Sequence, residues 1–464
     1  MKYVLKINSK FRMKFFLKAF PKYLFFFFWI TIVVISNAQI VSNQNRENNV
    51  QNPCITSQEY DIIEKECIEN IKKYKINQPN KAKVNAVSLS WPLRPSPDLT
   101  DCSYYRISAY VDNDPTVGVI KDFNCGTNTY DGHSGTDIAT WPYNFYKMDN
   151  NLVEVVAAAS GTIVNRHDGE FDRNCTSNNL TANYIIIQHS DGSYALYWHM
   201  KKNSVTSKTV NQTVVAGEYL GVVGSSGSAS GPHLHFEVRT GNTAASKIDP
   251  YTHSCTSNNA SWWSAQKSYK ETSVVKVSVN ATDLVFPGCP TTETSNESRL
   301  YQIPFQGIGL GAGYAKFYAF LRDQISGLVL DVRIENPDGF TFVSWTYTSN
   351  SNTSPLTVGF SKLLPTLPGN YIFKGTYNGV TCSYPFKIYS CPSGAISLPQ
   401  DDIGLLKINS GSRTFNTQTI SASNSIANLN TKVVFAAEKQ ILLLPNFKVD
   451  TNATFTASIA GCPN

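Results

Sequence analysis

Two short stretches carry the residue types that do chemistry. Asp131-Gly-His133-Ser-Gly135-Thr-Asp137 sets a histidine and an aspartate four apart, and Gly231-Pro-His233-Leu-His235-Phe-Glu237 sets two histidines two apart. All seven histidines of the chain lie between His133 and His253. Histidine is the commonest metal ligand and carries a proton near neutral pH. Four residues apart, His133 and Asp137 share a face on a helix or a strand; Gly132 and Gly135 argue against the helix. On a strand, His233 and His235 point the same way. Three of these four side chains complete a His/His/Asp set for zinc, with a fourth position left to water, as in a catalytic site. The remaining histidine then stands beside the metal as a proton carrier. Spacing alone does not tell His233 from His235 in these roles.

The elements that must position these motifs are strands. Val87–Pro92, Val153–Val164 (with a Ser160-Gly161 turn inside it), Tyr184–His189, its hairpin partner Tyr194–His199, Val214–Val223 and His233–Arg239 read as a mostly antiparallel sheet with long loops. Upstream, one helix is expected over Ser57–Tyr74, with Ile62, Ile63, Cys67, Ile68 and Ile71 on one face, ended by Asn77-Gln78-Pro79-Asn80. Downstream, Ser273–Val279, Leu328–Ile334, Phe340–Trp345, Leu356–Phe360, Tyr371–Tyr377 and Tyr384–Tyr389 have the spacing of a β-sandwich. Short apolar pieces at Ala395–Leu398, Thr417–Ala422, Thr431–Ala436, Gln440–Leu444 and Thr454–Ile459 suggest a small stacked β-structure. The fold class is therefore mainly β. The expected order is a targeting segment (1–38), an extension (39–84), an antiparallel catalytic domain (85–260), an immunoglobulin-like sandwich (270–390) and a C-terminal repeat region (391–464).

Lys2, Lys6, Lys10, Arg12, Lys14, Lys18 and Lys22 precede an apolar run from Leu24 to Ile35 and small residues at Ser36-Asn37-Ala38, the secretory pattern. Removing 1–38 takes seven basic and no acidic residues, so the formal charge falls from +6 to −1. No basic surface for nucleic acid is implied. The chain is expected to be exported, to the surroundings, the cell surface or the periplasm. Ten cysteines follow the targeting segment, an even number that reads as disulfides in an exported chain, and local pairs 54–67, 102–125, 175–255, 289–382 and 391–462 fit their spacing.

His133-x-Gly-x-Asp137, Tyr197-Trp-His199-Met200 and Gly231-Pro-His233-Leu-His235-Phe-Glu237 are similar, in order and spacing, to the M23 family of zinc metallopeptidases, the lysostaphin- and LytM-like peptidoglycan endopeptidases. Gly217 to Gly227 resembles the family's turn before the second motif, and Met200 stands where leucine is common. The resemblance covers about residues 88–252. It implies one Zn²⁺ per catalytic domain, held by His133, Asp137 and His235, with His199 and His233 catalytic. It also implies a zinc-bound water as nucleophile and peptidoglycan peptides as substrate. With no HExxH glutamate, histidine must supply the general base. The stretch from Val433 through Phe447 to Cys462 resembles short repeats near the ends of Bacteroidetes surface and secreted proteins, which implies a role in cell-surface attachment or secretion.

The other histidines have plain readings: His189 as structural, His167 and His253 as surface residues. The acidic loop Asp168-Gly-Glu170-Phe-Asp172 lacks EF-hand spacing, and Gly224-Ser-Ser-Gly-Ser is followed by no phosphate-loop lysine. Tyr130, Trp141, Tyr143, Tyr146 and Trp198 are candidates to line a substrate groove or to fill a core. A non-enzymatic surface or adhesion protein on an M23-like scaffold is the alternative class. The sequence leaves open whether 39–84 is an inhibitory segment, in which a free cysteine or another side chain caps the metal.

Overall fold

The motif-bearing strands lie side by side in one sheet although they are distant in sequence. The computed structural model describes residues 39–42, 54–78, 87–256, 260–289, 292–303, 306–307, 311–390, 395–398, 412–422, 425–426, 432–445, 447–449 and 453–459. The targeting segment, Cys391 and Cys462 lie outside them. The described residues belong to one unit, Asn37–Asn464, and among them no helix is long and apolar enough to cross a membrane.

The central sheet runs Tyr105–Ala109, Thr136–Thr140, His233–Arg239, Tyr194–Trp198, Tyr184–His189, Gly161–His167, Thr213–Val214, all antiparallel, with Lys247–Ile248 paired beside His233–Arg239. Side chains alternate between the two faces. Leu234, Phe236 and Val238 point into the main core with Ile138, Ile185, Ile187, Ala195 and Tyr197. His233, His235, Glu237, Arg239 and Asp137 therefore lie on the opposite face.

That opposite face is covered by the expected helix, Ser57–Tyr74. Thr56 and Glu59 form a reciprocal capping box at its start, and Lys75 closes it in the left-handed conformation. Ile63 and Cys67 are buried, with Ile55 and Ile76 from the flanks, against Val164, Tyr184, Ile186, Leu196 and Trp198. Each isoleucine so buried contributes about 1.5–3 kcal/mol. Ile62 and Ile68, expected on this face, are instead 57% and 59% exposed. The helix lies on one face of the sheet, and contact is confined to the stripe through 63, 67 and 71.

The sandwich pairs a four-stranded sheet (Gln39–Ser42, Leu356–Leu363, Tyr314–Arg322, Ser273–Asn280) with a five-stranded one (Leu300–Ile303, Val380–Ser390, Gly369–Tyr377, Val329–Glu335, Thr341–Thr348). The central strand Tyr314–Arg322 did not figure among the sequence expectations. It lacks apolar–polar alternation because both faces are buried. Ala315, Phe317, Ala319 and Leu321 enter the sandwich core, while Tyr318 and Phe320 pack on Trp141 and Tyr143 beside the central sheet. In the C-terminal region, Ala395–Leu398, Ser412–Ala422, Lys432–Leu443 and Thr454–Ile459 stack as parallel strands around Ile420, Val433 and Phe435.

Four of the five local pairs are corrected, and 391–462 lies outside the described residues. The bonds are Cys102–Cys382, Cys125–Cys255 and Cys175–Cys289, and Cys54 and Cys67 are unpaired. Docking of the sandwich on the part built around the central sheet brings together cysteines 280 and 114 residues apart, so nearness in sequence misleads. Cys54 precedes the helix and Cys67 sits within it, about 20 Å further along at 1.5 Å per residue. A disulfide needs Cα atoms within about 7 Å.

Candidate metal centre and catalytic site

His235 stands directly opposite Asp137 in the strand register, and on its other side opposite Trp198, one residue before His199. This register assembles the three motifs. Asp137 Oδ1 lies 3.2 Å from His133 Nε2 and 3.0 Å from His235 Nδ1, and the two ring nitrogens are 3.2 Å apart. Donor atoms about 2.0–2.1 Å from a tetrahedral zinc are themselves separated by about 3.3 Å. The triangle fits that ion, and a set of two imidazoles and a carboxylate suits its chemistry.

Each ring is oriented from behind. His133 Nδ1 donates to the Tyr110 carbonyl at 2.6 Å, which leaves the Nε2 lone pair facing Asp137. Tyr130 stacks on the same ring at a 4.2 Å centroid distance. His235 turns Nδ1 to the site and Nε2 toward Glu237, 3.5 Å away. Glu237 is fixed by Arg239 Nε at 2.6 Å and Ser134 Oγ at 3.0 Å. A carboxylate behind a ligating histidine sets its orientation and basicity. Gly135 explains itself here: a Cβ at this position would fall 2.8 Å from the His235 ring.

His199 and His233 form a second pair beside the triangle, with ring centroids 4.5 Å apart. His199 Nδ1 donates to the Ser226 carbonyl at 2.6 Å, and His233 Nδ1 to the Gly231 carbonyl at 2.8 Å. Both Nε2 atoms are buried without a hydrogen-bond partner. Two such orphaned nitrogens are costly unless a ligand uses them. His199 also adopts φ of +66°, which residues with a β-carbon seldom take and which clusters at functional sites. The Gly224–Ser228 loop thus positions His199: Ser226 supplies the accepting carbonyl, and its hydroxyl binds the Met200 carbonyl.

Charge is concentrated at this face. Burial works against ionised Asp137, but His133 and His233 hold its carboxyl well below the usual range. Burial opposes charge on His133 too, yet Asp137 raises it to about 9. Burial and the neighbouring His233 push His199 down. Burial opposes Glu237 as well, and Arg239 brings it to about 2.

One further atom occupies this space. Cys54 Sγ, 2.8 Å from the Tyr130 hydroxyl, gathers within 4.8 Å with the ligand atoms of His133, Asp137 and His235, and likewise with those of His199 and His233. The other histidines lie elsewhere. His189 is buried, with Nδ1 on the Ser160 carbonyl; His167 pairs with Glu170 at the surface; His253 hydrogen-bonds Ser254 in an exposed position. The acidic loop is used internally, with Asp168 and Asp172 accepting from the backbone of Asn203 and Lys202. Of the aromatic candidates, Tyr130 touches the site; Trp198 lies under the helix against Tyr184; Trp141, Tyr143 and Tyr146 pack toward the sandwich. The sequence reading missed Glu237, Tyr110 and Ser226. Glu237 is visible as the acid two residues past His235, whereas the other two act through carbonyls that any residue carries.

A His/His/Asp triangle that could hold a metal ion thus lies beside two oriented imidazoles whose Nε2 atoms lack a partner. Residues 131–250 match the model of peptidase family M23, and the chain carries an M23 peptidase domain. It is 33% identical over 96 residues to the cell division protein DipM of Caulobacter vibrioides (20% of this chain, 15% of that protein). It is 38% identical over 56 residues to the peptidoglycan DD-endopeptidase ShyA of Vibrio cholerae (12% of each). The matched stretch thus spans under a fifth of these relatives. The catalytic domain of lysostaphin from Staphylococcus simulans aligns at 22% identity over 31% of this chain and 85% of that domain, with a TM-score of 0.21.

Proposed function

We propose that this chain is an exported zinc endopeptidase that hydrolyses peptide bonds in the stems or cross-bridges of peptidoglycan. The observation that carries the reading is the convergence of two differently equipped sets, the His133/Asp137/His235 triangle and the His199/His233 pair, on one space at the sheet face. His133 through Nε2, Asp137 through Oδ1 and His235 through Nδ1 hold the metal. Zinc, when bound, supplies Lewis acidity that lowers the pKa of water to about 7 and polarises the scissile carbonyl. His199 and His233 face that space with free Nε2 lone pairs. One of them takes the proton of the attacking water and, so protonated, hydrogen-bonds the developing oxyanion and then passes that proton to the leaving amine. Peptidoglycan as substrate is supported by the relatives' names, and export by the disulfides. Residues 85–260 form the peptidase unit in this reading, 270–390 a sandwich module, and 391–464 an attachment module.

The test is hydrolysis of purified cell walls, with and without a chelator, and mass spectrometry of the released muropeptides. Because the Cys54 sulfur shares the space, wild type and Cys54→Ser are run together. Chelator-sensitive release of peptides by either protein supports the reading. Absence of release by both at full zinc occupancy sinks it and favours a binding role for the M23 scaffold.

A further inference from the structure

The catalytic face is filled by the chain's own N-terminal segment. We propose that Cys54 is a fourth metal ligand and that residues 54–78 are an autoinhibitory segment, which occupies the substrate groove while its thiolate takes the position of the attacking water. This rests on the metal-site reading above.

Three observations carry it. First, Cys54 is the only residue shared by the two clusters among the described residues, so its sulfur lies between the metal triangle and the proton carriers. That is where a water must sit to reach both. Second, the sulfur is aimed, not stray: the Tyr130 hydroxyl lies 2.8 Å from it, on the ring that stacks on His133. Third, the helix that follows is anchored to the site's own supporting residues. Tyr60 donates to Glu237 at 2.7 Å, lies 2.6 Å from Ser134 Oγ, and carries the Arg239 guanidinium over its ring at 4.7 Å. Further along, the Glu64 carboxylate accepts from Ala244 N and its carbonyl from Asn242, while Asn70 donates to the Val164 carbonyl.

Sheet alternation makes the blockade two-fold. The face that presents Asp137, His233 and His235 is the face on which Ile63 and Cys67 are buried, so an extended peptide reaching the metal must displace the helix. Ligation needs no redox partner. The thiol proton leaves to solvent, and the sulfur lone pair replaces that of water at the ion. Thiolate is a standard zinc donor, and four protein ligands close a site that three leave open.

Cobalt(II) is the probe. Full-length wild type loaded with cobalt is expected to show a thiolate-to-cobalt charge-transfer band in the near ultraviolet beside the visible ligand-field bands. Cys54→Ser is expected to lose the charge-transfer band and keep the visible ones at equal cobalt stoichiometry, while Cys67→Ser keeps both. Visible bands without charge transfer in wild type, or charge transfer that persists in Cys54→Ser, overturns the proposal and leaves the metal site standing. A wild-type protein that takes up no cobalt sinks the metal-site reading, and this proposal with it.

Discussion

At the scale of single residues, the two sets of histidines predict separable losses. His133→Ala removes a triangle corner whose ring is held by the Tyr110 carbonyl, so bound zinc is lost along with turnover. His199→Ala leaves the triangle intact and removes a buried, oriented base; zinc stoichiometry stays at one while turnover falls about 100- to 10,000-fold. Both are read in a Cys54→Ser background by metal analysis and muropeptide release, and retained turnover in His199→Ala removes that residue from catalysis. Glu237→Gln tests the support behind His235. Loss of the carboxylate should weaken zinc about 10- to 100-fold in a chelator competition, with little change in fold. Spacing made the H-x-H residues legible because strand alternation projects them to one face, whereas His133 lies in the turn before the strand Thr136–Thr140 and reaches Asp137 from there. The choice of His235 over His233 as ligand came from family resemblance, and its geometric support is the register that sets His235 opposite Asp137. Cys54 was harder to place, since nothing local links it to motifs 79 residues and more downstream.

At the scale of elements, the helix was legible to its ends, Ser57–Tyr74, because its signals are local: the apolar stripe and the following proline. Its partner was not legible, since contact with the Tyr184–Trp198 hairpin is a tertiary fact. The strand Tyr314–Arg322 was missed for the opposite reason, burial on both faces having erased its periodicity. The capping box gives a test of how the helix holds Cys54. Thr56→Ala removes the acceptor of the Glu59 N–H, 3.2 Å away, at a cost of about 1 kcal/mol. An opening equilibrium displaced by that amount exposes the sulfur about fivefold more often. Metal-free Thr56→Ala should therefore alkylate at Cys54 about fivefold faster than metal-free wild type, with Cys67 slow in both. An unchanged rate would show that the first helical turn does not control access to the thiol.

At the scale of the whole molecule, the sandwich is fastened to the peptidase part by cysteines that their spacing assigned to local pairs and by charges whose partners the sequence did not show. Two disulfides cross the junction, and between them Asp101 accepts from Lys147 at 2.6 Å and from Lys276 at 2.5 Å. Lys147 belongs to the short helix Asn144–Asp149 beside the site strand, and Lys276 to the sandwich strand Ser273–Asn280; Lys276 also meets Glu297 at 2.9 Å. All three members of the Asp101 bridge are largely buried, with side chains 1–9% exposed. Burial works against ionised Asp101, but Lys147 and Lys276 hold its carboxyl below the ordinary aspartate value. A depressed folded-state pKa contributes stability that is present above the unfolded value of about 3.9 and is lost as pH falls through the lower folded value. Asp101→Asn strips the bridge of its anion and leaves Lys147 buried with only the Pro142 carbonyl as a second acceptor, which breaks a buried pair at a cost of about 3–5 kcal/mol. The difference in melting temperature between wild type and Asp101→Asn should therefore be widest near neutral pH and should close in acid, as wild-type Asp101 becomes protonated. Calorimetry from pH 7 to pH 2 measures it, and a gap that stays constant across that range would assign the junction's strength to the disulfides and the Trp141–Phe320 packing instead of to this carboxylate.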